Sequence, residues 1–338
     1  MSFFSNEIIG WYSENGRSLP WRETKDPYRI WLSEIILQQT RVSQGLPYYE
    51  KFIKHYPDLN GFANAEETDI LKLWQGLGYY SRARNMHKCA RLVQRDFGSF
   101  FPSTYAQLLQ LPGIGPYTAA AIASFAFEES VAVVDGNVIR LVSRYLGIQE
   151  PVNKGATLRG INTFVQEEIQ GFKPDLFNQA IMEMGSQICT PKLTKCDSCV
   201  LAMNCQAKKE GLVNRIPFKS TRTKVSQKYF NYYLSQNQDQ LSLVHRNSKG
   251  IWQNLYEFPM EESVNSKVES NATLIGTFQH QLSHQRIEAK LWKVNKIPSR
   301  LSQNKGIFEV ALGEIGSAYP THQLMNKMIK AWQEQLTK

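Results

Sequence analysis

A chain of 338 residues is long enough for two ordinary domains with cores of their own, and 42% hydrophobic with 20% charged content describes a soluble globular protein. No apolar run approaches the ~18 residues of a membrane span, because AAAIASFAF is closed by Glu128 and Glu129. The start, MSFFSNEIIGWY, lacks the basic stretch and apolar run of an export signal, so a cytosolic protein with no membrane partner is expected. The net charge of +9 points to a polyanionic partner, and its location says more than its sum. Residues 1–207 carry 20 basic and 20 acidic side chains, 208–228 carry seven against one, and 229–338 carry 12 against nine. The excess therefore centres on Lys208, Lys209, Arg215, Lys219, Arg222, Lys224 and Lys228, a segment that also suits a solvated basic linker.

From Ser5 to about Gln206 apolar residues recur at three and four, and Pro or Gly interrupts the pattern at intervals, so an all-helical domain is predicted over 1–207. Its helices include 27–39, 47–55, 66–74, 81–97, 104–110, 116–127, 137–146, 157–170 and 175–187. In the first of these, steps of three and four from Glu34 reach Ile30, Trp31 and Gln38, so the acid shares its face with no other charge. A carboxyl group there loses hydration and holds its proton more tightly, which suits a general acid; an amphipathic boundary glutamate has the same pattern. Arg84, Lys88, Arg91 and Arg95 make a basic stripe on the helix that follows the aromatic pair Tyr79 and Tyr80, as on a nucleic-acid surface or a solvated face.

The stretch 111–140 carries two further signals. LPGIG, with Gly113 and Gly115, can turn sharply and present bare N–H groups at the start of a helix, where an anion such as a phosphate is favoured; a plain inter-helix turn has the same residues. VDGN delivers Asp135 to another helix start, where it can be a functional carboxylate or simply an N-cap. Cys189, Cys196, Cys199 and Cys205 then form C-x6-C-x2-C-x5-C within 17 residues, with Lys192 and Lys195 inside the loop and Cys89 alone elsewhere. Four thiols this close in a cytosolic chain indicate a metal site, and both zinc and a 4Fe-4S cluster accept this ligand set. After Lys228, KYFNYYLSQNQDQLSLVHR and ATLIGTFQHQLSHQRIEAKLWKV alternate in the manner of strands, and a helix over 322–336 closes the chain, so 229–338 reads as a second domain of mixed α and β type.

With LQQT after Glu34, then GLGYYSR, LPGIGPYT, VDGNV and the cysteine loop in this order, the chain resembles the adenine DNA glycosylase branch of the helix-hairpin-helix superfamily, the MutY family. The resemblance implies an all-α helix-hairpin-helix glycosylase domain with a 4Fe-4S loop, followed by an α+β Nudix-like (MutT-like) domain that reads 8-oxoguanine. It implies that the four cysteines hold a 4Fe-4S cluster and that Gly113 and Gly115 belong to a phosphate-binding hairpin. Glu34 then protonates the base, Asp135 faces the sugar with Tyr117 and Asn137 beside it, and Gln39 and Tyr79 enter the duplex. Leu282, Ser283 and His284 match an element usually written FSH, so Leu282 departs from its aromatic wedge.

Endonuclease III-like relatives keep a lysine where this chain has Tyr117, so the resemblance implies a monofunctional enzyme. The metal-binding R-E-x-x-E-E run of a working Nudix hydrolase is missing after LYEFPMEESVNS, so recognition without nucleotide hydrolysis is expected. The expected partner is double-stranded DNA with an adenine mismatch, bound by a monomer. The rival readings are a thymine or uracil mismatch glycosylase of the same fold and a non-catalytic iron-sulfur DNA-binding protein.

Overall fold

A computed structural model of the chain describes residues 2–220, 225–264, 272–302 and 306–336. The helical part runs α1 (Phe3–Asn15), α2 (Pro27–Leu37), α3 (Val42–His55), α4 (Leu59–Ala63), α5 (Glu67–Trp74), α6 (Ser81–Phe97), α7 (Tyr105–Leu108), α8 (Pro116–Phe127), α9 (Gly136–Leu146), α10 (Gly155–Glu168), α11 (Pro174–Gln187) and α12 (Gln206–Lys209). Beyond it come β1 (Ser226–Asn237), β2 (Gln240–His245), β3 (Tyr256–Glu257), β4 (Met260–Glu262), β5 (Thr273–Gln281), β6 (Gln285–Val294), α13 (Ser299–Ser302), β7 (Ile307–Ala311) and α14 (Gln323–Leu336). No helix among the described residues is long and apolar enough to cross a membrane.

Contacts divide the chain into one unit of 1–63 with 88–222 and another of 64–87 with 223–338. In the first, Phe4, Ile8, Val138, Leu141, Phe177 and Met184 share one apolar core. α8 is apolar on every face, which suits a helix enclosed by others. Local chemistry fixes the ends of the helices that matter most. Asp26 caps α2 by accepting from the Tyr28 N–H at 2.9 Å, with Pro27 at the first position, where its missing N–H costs nothing. α9 stops at Gly147, which has φ 69° and sits so close to Gln206 that a Cβ would lie 2.6 Å from its Cγ.

α3 begins at Val42, five residues before the start that Pro47 suggests. Gly45 explains the difference, since a Cβ there would stand 2.7 Å from Leu37 Cδ2: the first turn of α3 packs on α2 closely enough to tolerate a proline inside the helix. The basic stretch from 208 is held against the helical unit for much of its length. Val152 N–H donates to Phe218 O at 3.0 Å, Arg144 Nε to Ile216 O at 3.0 Å, and Ser220 N–H to Asn153 Oδ1 at 3.0 Å. Arg222 and Lys224 lie outside the described residues, and β1 already includes Lys228.

The second unit is built on a seven-stranded mixed sheet in the order β3-β2-β1-β6-β5, with β4 on β1 and β7 on β2. β1 and β6 run parallel from Ser226↔Gln285 to Ser235↔Val294, and β5–β6 is an antiparallel hairpin. Residues 64–87 join this unit through side chains that the helical pattern does not reveal. Tyr80 Oη donates to Thr321 O at 3.0 Å, Asn254 Nδ2 to Glu67 Oε1 at 2.6 Å, and Arg84 Nη1 to Gln253 O at 2.7 Å. Arg84 is therefore buried and no part of an exposed basic stripe, whereas Lys88, Arg91 and Arg95 are exposed.

Candidate active site

Glu34 sits on α2 among Ile30, Trp31, Ile35 and other buried neighbours and is itself buried. Its Oε2 accepts a hydrogen bond from Tyr117 Oη at 2.6 Å. Burial pushes the Glu34 carboxyl up to about 7; the Tyr117 hydrogen bond opposes the shift, the Asp135 charge adds to it, and the Arg22 charge opposes it. Tyr117 lies in the first turn of α8, and its hydroxyl is held well above its ordinary range by burial and by the Glu34 and Asp135 charges. It therefore keeps its proton and is a fixed hydrogen-bond donor to Glu34.

Asp135 caps α9: Oδ1 accepts from the N–H groups of Asn137 and Val138, both at 2.8 Å, and Oδ2 accepts from Asn137 Nδ2 at 2.6 Å. Burial raises its carboxyl above the usual range, against the pull of these hydrogen bonds and of Arg140. Arg140 extends the arrangement, donating to Asn137 Oδ1 at 2.9 Å, Gly185 O at 2.7 Å and Cys189 O at 2.6 Å. The head of α9 touches α11 here with no room to spare, since a Cβ on Gly185 would lie 2.9 Å from Asn137 O and 3.0 Å from its Cβ. Gly185→Ala is therefore expected to destabilise the protein by about 1–3 kcal/mol in thermal unfolding, by overpacking against backbone.

Glu34, Tyr117, Asp135 and Asn137 all line one cleft of about 170 Å³. The cleft is also lined by residues that the sequence does not single out: Arg17, Arg22, Gln179 and Glu183. An arginine in a loop and a glutamine or glutamate on a helix read as ordinary surface. The one signal available is negative: Glu183 falls on the apolar side of α11, between the buried Ala180 and Met184.

Two residues expected at the duplex have strained backbones. Gln39 has φ 57° just after α2, and Tyr79 has φ 47° with 47% of its surface exposed. Left-handed conformations in non-glycine residues cost energy and collect at functional sites. In the hairpin, Gly113 has φ 77°, which an L side chain resists, and Gly115 opens α8 with no side-chain cap on the first-turn N–H groups. Leu282, Ser283 and His284 form the tip of the β5–β6 hairpin, closed by Leu282 N–H to Gln285 O at 2.8 Å; Ser283 and His284 are exposed and Leu282 half-buried.

Among the described residues no three His, Cys, Asp or Glu side chains converge as the ligands of a single metal ion would. Cys189, Cys196, Cys199 and Cys205 instead stand around one cavity with Leu141, Arg144 and Lys208. Arg144 Nη1 donates to Cys189 Sγ at 3.3 Å and Thr190 O at 2.7 Å, while Lys208 Nζ donates to Cys196 O at 3.1 Å. Four thiols around one cavity, with cationic donors beside them, suit an anionic thiolate-held group.

Residues 32–166 match the HhH-GPD superfamily of base excision DNA repair proteins, and residues 231–331 match the NUDIX domain. The adenine DNA glycosylase of Buchnera aphidicola subsp. Baizongia pistaciae is 35% identical over 322 residues, covering 90% of each chain. That of Buchnera aphidicola subsp. Schizaphis graminum is 35% identical over 292 residues, covering 83% of this chain and 84% of its own. The chain belongs to the adenine DNA glycosylase family. It is accordingly an enzyme of base excision repair that hydrolyses the N-glycosyl bond of adenine. Among solved structures, a thermostable thymine-DNA glycosylase superposes with TM-score 0.57 and 30% identity, covering 61% of this chain and 95% of its own.

In this glycosylase three described carboxylates between β2 and β5 have partners. Glu257 accepts from Arg246 at 2.6 Å and lies 3.3 Å from His322 Nε2, Glu261 pairs with Arg300 at 2.9 Å, and Glu262 pairs with Lys228. Each is neutralised by a cation of the same unit, an arrangement suited to a scaffold.

Proposed function

We propose that the adenine is removed from duplex DNA where it stands opposite 8-oxoguanine or guanine, and that the product is an intact strand with an abasic site. The observation that carries this reading is that two carboxyl groups, one buried and one half-buried, line one cleft, the first hydrogen-bonded to Tyr117 and the second to the head of α9. Adenine is a poor leaving group. A carboxyl that still holds its proton near neutral pH can give it to the base, which loosens the glycosidic bond. The sugar then takes on oxocarbenium character. Asp135, fixed by three hydrogen bonds and needing no rearrangement, stabilises that charge electrostatically or traps it, before water completes the hydrolysis.

The base must leave the stack to enter the cleft. Gln39 and Tyr79 fill the space it vacates, each on a short strained turn, and the hairpin at Gly113 and Gly115 anchors a phosphate on the open end of α8. Leu282, Ser283 and His284 at the hairpin tip read the opposite base. Leu282 has less surface to stack than an aromatic, so Ser283 and His284 carry the polar recognition. Cys189, Cys196, Cys199 and Cys205, which line one cavity, would hold a 4Fe-4S cluster, and the Arg144 donor beside Cys189 supplies compensating charge. The cluster supplies no electron-transfer step to a hydrolysis. Its ligands fix the 189–205 loop, which presents Lys192 and Lys195. The protein acts as a monomer on DNA in the cytosol.

Base release from duplexes with adenine opposite 8-oxoguanine, adenine opposite guanine and thymine opposite guanine tests this. Release is expected for the two adenine duplexes, with 8-oxoguanine preferred, and none for thymine. Strand breaks are expected only after heat or alkali, because Tyr117 has no amine with which to form a Schiff base. A covalent adduct trapped by borohydride would overturn the monofunctional assignment.

A further inference from the structure

Glu183 is a charged side chain that the mechanism above leaves without a task. It projects from α11 with its side chain 1% exposed, and both oxygens are held. Arg17 donates from Nη2 to Oε2 at 2.7 Å and from Nε to Oε1, and Arg22 donates from Nη2 to Oε2 at 2.8 Å. The Arg17 N–H adds a longer bond at 3.3 Å, the Gln187 amide donates to Oε1 as well, and Arg22 Nη1 turns back to Arg17 O at 3.1 Å. The Arg22 side chain is 14% exposed and that of Arg17 40%. Burial pushes the Glu183 carboxyl up, but the two guanidinium groups outweigh it and hold the acid down at about 2. Glu183 is therefore ionised throughout the working range.

A buried ion pair of this kind would support a core equally well anywhere. This one forms the wall of the cleft that holds Glu34 and Asp135. We propose that Glu183 is a positioning residue for base excision: it clamps Arg17 and Arg22 into the cleft wall and offsets their positive charge, so that Glu34 keeps its proton for the departing base. The proposal rests on the reading that Glu34 is the general acid.

The charges around the acid make the direction definite. Glu34 faces Tyr117 from α8, Asp135 at the head of α9 with Arg140 behind it, and Arg22 from the loop after α1. Of these, Arg22 and the Tyr117 hydrogen bond favour loss of the proton. Glu183 faces Arg17, Arg22 and, from α1, Tyr12. Neutralising it leaves Arg22, the cation that acts on Glu34, without its counter-charge in the cleft wall, and an uncompensated Arg22 makes Glu34 give up its proton at lower pH.

The test is single-turnover adenine release from the adenine–8-oxoguanine duplex across about pH 5 to pH 9, on cluster-loaded full-length protein. Glu183→Gln keeps the shape and loses the charge. Its alkaline limb is expected to move about one unit toward acid, so release falls about tenfold more at the alkaline end than at the acid end. Glu183→Asp keeps the charge and is expected to keep the wild-type limb. Arg17→Gln sheds a half-exposed cation and is expected to move the limb the other way, which protects the test if the Gln variant does not fold. Iron content and thermal unfolding report on folding separately. Equal loss of rate at every pH, or a limb that stays in place in both Glu183→Gln and Arg17→Gln, would overturn the proposal. A wild type that releases no adenine at all overturns the reading of the cleft, and this proposal with it.

Discussion

Glu34→Gln is expected to slow adenine release about 10²- to 10⁴-fold, the usual worth of a general acid, while binding the mismatched duplex as tightly as the wild type does. Gln keeps the volume and an acceptor for Tyr117 but has no proton to give. The same carboxyl dictates two pH dependences of the same sign. Release is expected to hold below about pH 7 and to fall about tenfold per unit above it, as Glu34 ionises. Stability moves with the same proton. A carboxyl raised from its ordinary 4.5 to about 7 binds its proton more tightly in the folded chain, so its favourable contribution is complete below about pH 4.5 and is lost as pH rises through 7. Glu34→Gln removes that dependence. It is expected to unfold with the wild type at acid pH and to gain on the order of 3 kcal/mol over it by about pH 8, measured by denaturant unfolding at the two pH values. Faster release by the Gln variant, or a stability difference that does not vary with pH, would contradict a buried, protonated Glu34.

Much of this architecture is legible along the chain because it is written in local chemistry. α6 and α8 run over the residues that periodicity and Pro116 indicate, and the Asp135 cap is visible in VDGN because a cap is a contact between neighbours. The burial of Glu34 follows from its apolar face on α2. What local chemistry cannot convey is long-range pairing. The Arg17–Glu183 contact joins residues 166 positions apart, so neither side chain announces that it lines the cleft. Arg84 looks like one step of a basic stripe until Gln253, 169 residues on, takes its guanidinium. For the same reason 64–87 reads as part of a helical domain, although Tyr80 and Glu67 bond to Thr321 and Asn254, far along the chain. The left-handed backbones of Gln39 and Tyr79 are hidden for a different cause: neither is a glycine, and only surrounding structure can hold such residues there.

Asp135→Asn separates what this residue does for the fold from what it does for the reaction. Asn caps a helix about as well as Asp, because its side-chain oxygen can still accept from the Asn137 and Val138 N–H groups. The start of α9 should therefore persist, and the unfolding midpoint should change little. The amide nitrogen then faces Asn137 Nδ2, donor against donor, where Oδ2 now accepts, so Asn137 must turn and its link to Arg140 loosens. The charge proposed to face the sugar is gone. Adenine release is expected to fall about 10²- to 10³-fold, as when a preorganised electrostatic partner of a developing charge is removed. Asp135→Ala is the companion variant. It should lose about as much in rate and in addition roughly 1 kcal/mol of stability, because the cap disappears as well. Equal stabilities for the two variants would mean that the cap contributes nothing. Wild-type release by the Asn variant would mean that the carboxylate only holds α9 in place, and the chemistry would then have to be carried by Glu34 and water alone.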